Sequence, residues 1–145
     1  MRILVTGHKG YIGSRLFKQL KSQGHDVLGV DILENNGNIL HCLREDCDGK
    51  FEPYWFNFKP EYIFHLAAQA LVKDSFKSPL LTMTSNALGS ASILEALIDY
   101  KKSVSVVMIT SDKVYNNLEW QWGYKETDEI GGKDPYSASK AALLQ

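Results

Sequence analysis

Cysteine is almost absent: Cys42 and Cys47 are the only two in 145 residues. Two cysteines in one polar stretch make no disulfide framework, and a zinc site needs more ligands than they supply; no metal is expected. No apolar run approaches the roughly 18 residues of a membrane span. A surplus of either charge is missing too, since 16 Lys+Arg against 17 Asp+Glu leave a net charge of −1. Nucleic acids and anionic membranes favour a basic excess, so neither is an expected partner. The start, Met1 to Gly7, turns polar after three apolar residues, too soon for the core of a signal peptide. The expected compartment is therefore the cytoplasm. There is no internal repeat, low-complexity tract or linker. What remains is 44% apolar and 23% charged, the composition of an ordinary globular chain, read here as one domain over 1–145. The last residues, Ala141-Ala142-Leu143-Leu144-Gln145, favour helix and carry no stop signal, so a longer parent protein is expected.

Short β-type runs alternate with helical stretches. Ile3-Leu4-Val5 reads as a buried strand, and Gly13 to Gln23 as a helix with Leu16, Phe17 and Leu20 at helical spacing. Gly24 stops that helix. Residues 26–31 form a second strand, and 35–38 a turn-rich loop. Residues 40–57 are hard to read, with room for a short third strand and a loose helix. Tyr62 to Leu66 is a strand. Leu80 to Tyr100 is a long helix with Leu81, Leu88, Ile93, Leu94, Leu97 and Ile98 on its apolar side. Val104 to Thr110 is a strand, 116–134 a long loop, and Pro135 starts a final helix. This alternation predicts an α/β fold: a doubly wound parallel sheet with helices on both faces.

Thr6-Gly7-His8-Lys9-Gly10-Tyr11-Ile12-Gly13 has G-x-x-G-x-x-G spacing between the first strand and the first helix. Gly7 allows the tight turn, Gly10 lets backbone approach a pyrophosphate, and Gly13 lets helix and strand pack closely. The N-terminal amides of that helix then face phosphate charge, and Tyr11 and Ile12 in the loop are read with the glycines as cofactor-binding. Asp31 ends the second strand, where an acid accepts hydrogen bonds from a ribose 2′-hydroxyl. Ile32, Leu33 and Glu34 follow, with no Arg or Lys. A 2′-phosphate there would meet carboxylates, and like charges about 4 Å apart repel by roughly 4 kcal/mol at an effective dielectric of about 20. The cofactor expected is NAD rather than NADP.

Tyr136-Ser137-Ala138-Ser139-Lys140 is a Tyr-x-x-x-Lys pair, on one face if helical. An ammonium one turn from a phenol favours the phenolate, which suits a general base at neutral pH. Thr110-Ser111-Asp112-Lys113 lies at the C-terminal end of a strand, where ligands bind in open α/β sheets.

With His65-Leu66-Ala67-Ala68-Gln69 and Asn86-x-x-Gly89-Ser90, these pieces run in order along the whole chain. Together they resemble the extended short-chain dehydrogenase/reductases, the NAD-dependent epimerase/dehydratase family. His65 to Val72, Thr110 to Tyr124 with its Trp120-x-Trp122-Gly123-Tyr124, and Gly131-Gly132-x-Asp134-Pro135-Tyr136 look most like the CDP-glucose 4,6-dehydratases within it. The related dTDP-glucose dehydratases carry Asp-Glu where this chain has Asp112-Lys113. The aromatic stretch is compatible with a loop that walls an active site.

The resemblance implies a Rossmann-type NAD-binding domain, truncated at its C-terminal end, with sugar-nucleotide recognition in an absent second domain. It implies oxidation at sugar C4, loss of water across C5 and C6, and reduction at C6 to a 4-keto-6-deoxy product. Tyr136 would take the C4 hydroxyl proton, Lys140 would hold the nicotinamide ribose, and Ser111 would hydrogen-bond the C4 oxygen. Asp112 would protonate the leaving C6 hydroxyl, which asks for burial or a neighbouring carboxylate. Lys113 would stabilise the enolate or act as the C5 base; both roles stay open. Ala67 and Ala68 would line the cofactor cleft, Gln69 would face nicotinamide or substrate, and Asp46 would contact adenine. Asn86 is read as fold-supporting, His8, His25 and His41 as solvated loop residues, and His65 as packing or capping. The family dimerises through two helices per subunit, so a homodimer is expected at full length. The 145-residue chain alone is expected to bind NAD poorly and not to turn over. A sister epimerase or reductase, and a non-catalytic dinucleotide-binding remnant, remain as alternatives.

Overall fold

A computed structural model of the chain describes residues 1–32, 46–47, 50–51 and 54–144. They form two compact units, one of Met1–Ala67 with Gly89–Ile109, the other of Ala68–Leu88 with Thr110–Gln145.

The first unit is the sheet. Strands β1 (Arg2–Thr6), β2 (Asp26–Val30), β5 (Tyr62–His65) and β6 (Ser105–Met108) are all parallel, in the order β2-β1-β5-β6. β3 (Asp46–Cys47) and β4 (Lys50–Phe51) pair only with each other, antiparallel. Among the described residues of 40–57 there is thus no third strand of the main sheet, and they hold a 3-10 turn at Tyr54–Phe56. The loop predicted over 35–38 and Cys42 and His41 lie outside the described residues.

β1 is apolar on both faces because both are covered. Leu4 turns to a core of Val30, Trp55, Ile63, Ile93 and Ala96. Ile3 and Val5 turn to the other side, against Leu20 and Val27, with Leu16 and Phe17 packed on them. Helix α1 (Tyr11–Ser22) thus covers one face of the sheet. It stops at Gly24, whose φ of 80° lets the His25 N–H reach back to the Leu20 carbonyl. The chain leaves β1 for β2 on one side and returns to β5 on the other. The order reverses at the C-terminal end of β1, where such sheets bind ligands.

The second unit is helical. It holds α2 (Val72–Lys77), α3 (Pro79–Met83), a π-helical turn at Thr84–Leu88, a 3-10 turn at Asp112–Val114 and the helix carrying Tyr136 and Lys140 (Pro135–Ala141). The helix expected over Leu80–Tyr100 is α3, the π-turn and α4 (Gly89–Ile98, of the first unit) in succession, with Pro79 opening it. We number the Pro135–Ala141 helix α5. Of the apolar side predicted for the long helix, Ile93 is fully buried, whereas Leu81, Leu88, Leu94 and Ile98 are exposed. Their spacing reports a helix but not burial among the described residues. No helix among the described residues is long and apolar enough to cross a membrane.

Candidate active site

In the first unit, the glycine loop follows β1 directly. Gly7 has φ 70°, and a Cβ there would lie 2.8 Å from the Ala67 nitrogen. At Gly13 a Cβ would fall 2.1 Å from the Gly7 carbonyl oxygen, so only glycine lets α1 come this close to the turn. Gly10 caps the helix with extended backbone and no side-chain bond. The amides of Tyr11, Ile12 and Gly13 therefore lead the helix without intrahelical acceptors. Tyr11 and Ile12 are exposed at its mouth.

Asp31 lies just past β2 and is 8% exposed, with Oδ2 accepting the Lys9 N–H at 2.8 Å. It is a buried carboxylate tied to the glycine loop rather than a solvated turn residue. The glycine cradle, the leading amides and this carboxylate fit the pyrophosphate and ribose of a dinucleotide.

Thr6 was not singled out from the sequence, yet its hydroxyl oxygen accepts the Ala67 N–H at 3.2 Å and lies 2.7 Å from His65 Nδ1. His65 Nε2 is 3.0 Å from Ser90 Oγ. The buried histidine thus packs in a polar network, as read. His8 differs from the solvated reading: it is half-buried, with its ring 5.1 Å from that of Phe17. The side chain of Asp46 lies outside the described residues.

In the second unit, Ser111 starts the Asp112–Val114 turn. Its Oγ accepts the Lys113 N–H at 3.2 Å and donates to Asp112 Oδ1 at 3.1 Å. Asp112 and Lys113 are exposed. The burial expected for a proton-donating Asp112 is not found within this unit, because the short turn lifts it to the surface. The turn packs against α5.

α5 opens with Pro135 at its first position and Asp134 as cap. The Asp134 carboxylate accepts from Ser137 N–H at 2.9 Å and Ser137 Oγ at 2.6 Å. Burial alone would raise the Asp134 pKa, but these bonds, the Tyr136 N–H and the Lys113 charge together hold it below the usual 3.8. Lys140 is 5% exposed, and burial lowers its pKa from 10.5. Tyr136 is half-buried one turn away.

Asn86, fully buried, joins the segments of this unit. Its Oδ1 accepts the Gln69 N–H at 2.8 Å, and its Nδ2 donates to the Gln69 carbonyl at 3.0 Å and to Ser139 Oγ at 2.9 Å. Ser139 in turn donates to the Tyr136 carbonyl at 2.7 Å. The fold-supporting reading of Asn86 agrees with these bonds, and Ser139 is the partner no local sequence signal announced. Gln69 gives its Nε2 to the Leu71 carbonyl at 2.9 Å, and its Oε1 is buried without a partner among the described residues.

A cavity of about 270 Å³ opens beside the turn, walled by Asp112, Lys113, Tyr115, Tyr124, Asp134 and Ser137 with Asn117, Gly131 and Lys133. No group of three His, Cys, Asp or Glu among the described residues stands close enough to hold a metal ion.

Residues 3–145 match the family described as NAD dependent epimerase/dehydratase. A CDP-glucose 4,6-dehydratase of Salmonella typhimurium is 38% identical over 151 residues, covering 96% of this chain and 42% of that protein. A UDP-glucose 4-epimerase of Mycolicibacterium smegmatis is 34% identical over 155 residues, covering 98% of this chain and 49% of that one. Among solved structures, a Thermus thermophilus UDP-glucose 4-epimerase in complex with NAD superposes with a TM-score of 0.75 at 30% identity, over 99% of this chain and 48% of that one. The chain spans about half the length of the curated relatives it matches.

Proposed function

We propose, from the premise that this chain belongs to the NAD-dependent epimerase/dehydratase family, that it is the cofactor-binding part of a sugar-nucleotide 4,6-dehydratase acting on CDP-glucose. The family's members include dehydratases, epimerases and reductases of sugar nucleotides. The observation that carries the finer reading is the Asp112-Lys113 pair. It follows Ser111 on a turn packed against the helix of Tyr136 and Lys140, with both side chains on a cavity wall. The 38% relative named for that reaction supports the choice of substrate.

Bound NAD supplies the oxidation at sugar C4 and the later reduction at C6. The chain's residues do the rest. The backbone of Gly7, Gly10, Tyr11, Ile12 and Gly13 holds the pyrophosphate, Asp31 the adenosine ribose and Asp46 the adenine. Ala67 and Ala68 line the cleft, and the unpartnered Gln69 Oε1 accepts from nicotinamide or substrate. Tyr136 Oη takes the C4 hydroxyl proton, and Lys140 holds the nicotinamide ribose. The Ser111 hydroxyl donates its hydrogen bond to Asp112 here and turns to the C4 oxygen when substrate is bound. Asp112, protonated from solvent, then gives that proton to the departing C6 hydroxyl, which leaves as water. Lys113 stabilises the enolate that forms once C4 is a ketone, or removes the C5 proton. At full length the protein is a homodimer.

The test is a pair of variants in the protein at its natural length. Lys113→Met retains NAD affinity and lowers dehydration by about 100-fold or more, the usual weight of an acid–base group. Asp112→Asn abolishes dehydration, whereas an epimerase would keep its activity. Undiminished turnover in Lys113→Met removes Lys113 from the mechanism.

A further inference from the structure

Asn117 and Lys133 line the cavity beside Asp112 and Lys113 and take no part in the steps above. Asn117 stands in the aromatic loop, and its bonds set which end of its amide is left over. Oδ1 accepts the Glu119 N–H at 3.0 Å and the Tyr124 hydroxyl at 2.8 Å. Only the oxygen of an amide can face an N–H, so the orientation follows. The Tyr124 hydroxyl itself accepts the Leu118 N–H at 3.2 Å, closing the loop on the asparagine. With both lone pairs of Oδ1 engaged, Asn117 offers a ligand its Nδ2 donors.

The rest of the cavity narrows the ligand. Tyr115 and Tyr124, whose rings stack on each other at 4.9 Å, both line it. Lys113 and Lys133 are matched by Asp112 and Asp134, so the lining has no net charge with which to attract a pyrophosphate. Its volume of about 270 Å³ sits at the low end of small-molecule pockets, which run from about 300 Å³ upward. Aromatic walls, hydrogen-bond donors, charge balance and the room of one ring suit a pyranose, whose C–H bonds pack on aromatic rings and whose hydroxyl oxygens accept.

We propose that Asn117, held by Tyr124, is a specificity-determining residue that donates from Nδ2 to a hydroxyl oxygen of the substrate's hexosyl ring in this cavity. This rests on the sugar-nucleotide reading above.

The test uses the full-length protein loaded with NAD, with CDP-glucose binding followed by calorimetry and turnover by steady-state kinetics. Asn117→Asp keeps an acceptor for Glu119 and Tyr124 and removes both donors. It raises Kd and KM for CDP-glucose about tenfold, leaves kcat within about twofold and does not change NAD affinity. Tyr124→Phe, which keeps the ring and removes only the hydroxyl clamp, shifts KM in the same direction. If the wild type binds and converts CDP-glucose while Asn117→Asp retains its Kd and KM, the proposal is overturned and the sugar-nucleotide reading stands. A fall in kcat at unchanged KM overturns it equally. If the wild type neither binds nor converts CDP-, dTDP- or UDP-glucose, the sugar-nucleotide reading falls and this proposal falls with it.

Discussion

Gly13→Ala is the sharpest probe of the glycine loop. A methyl group at Gly13 would lie 2.1 Å from the Gly7 carbonyl oxygen, 2.8 Å from its carbon and 2.9 Å from the His8 Cα. All three are backbone atoms, so no side chain can swing aside. Relief needs a movement of roughly 1 Å, because such an overlap is unknown in packed interiors. The Gly7 carbonyl accepts the Gly10 N–H at 3.0 Å, and the Gly7 N–H donates to the Val30 carbonyl at 2.7 Å. Overpacking of this kind costs about 1–3 kcal/mol, and breaking the Gly10 bond adds about 1 kcal/mol. The leading amides of α1 move with the loop. Losing one charge-assisted bond to a phosphate costs about 2 kcal/mol, or roughly 30-fold in NAD affinity. The assay is NAD binding by calorimetry on the full-length protein, with thermal unfolding in parallel. Gly24→Ala is the control: its φ is 80°, but nothing lies within 4 Å of the new Cβ. It costs about 1–2 kcal/mol of stability from the left-handed backbone and leaves NAD affinity unchanged. NAD affinity within twofold of wild type in Gly13→Ala would refute the close-approach argument.

Asn86→Ala leaves the Gln69 N–H and carbonyl without their partner and lowers the unfolding free energy by about 2–4 kcal/mol, read by chemical denaturation. Asn86→Asp recovers part of this, since it still accepts the Gln69 N–H; an Asn86→Ala protein as stable as wild type would contradict the role given to that side chain. Asp134→Ala removes the cap of α5 and costs about 1 kcal/mol at neutral pH. Because the folded Asp134 pKa is lowered from 3.8, its contribution is complete above that pH and is lost as pH falls through the folded value. The wild type and Asp134→Ala stability curves therefore converge in strong acid, and a gap that persists there would show that the ionised carboxylate is not the source.

Much of the architecture is legible because its signals are local. Ile3-Leu4-Val5 is apolar on both sides for a strand covered on both faces, and the Tyr62–Leu66 and Val104–Thr110 runs contain the observed strands. The glycine loop and the Tyr136–Lys140 pair are likewise short-range patterns. Relations between distant residues leave no such mark. Asn86 with Ser139, and Thr6 with His65 and Ser90, are polar contacts whose partners stand 53, 59 and 25 positions apart along the chain. Trp55 sits at 0% exposure in the core, from a segment whose pattern has neither a helical nor a strand period. Leu88 and Ile98 show the converse: their helical spacing is correct, but spacing alone does not tell an intrachain core from an exposed face. The chemistry asked of Asp112 called for burial or a neighbouring carboxylate, and on its short turn the side chain is exposed.

The most direct measurement is the mass of the product formed when the full-length protein is incubated with NAD and CDP-glucose. The account predicts a sugar nucleotide lighter by one water, with no net consumption of NAD. A product of unchanged mass would identify an epimerase, and recovery of CDP-glucose alone would contradict the dehydratase reading outright.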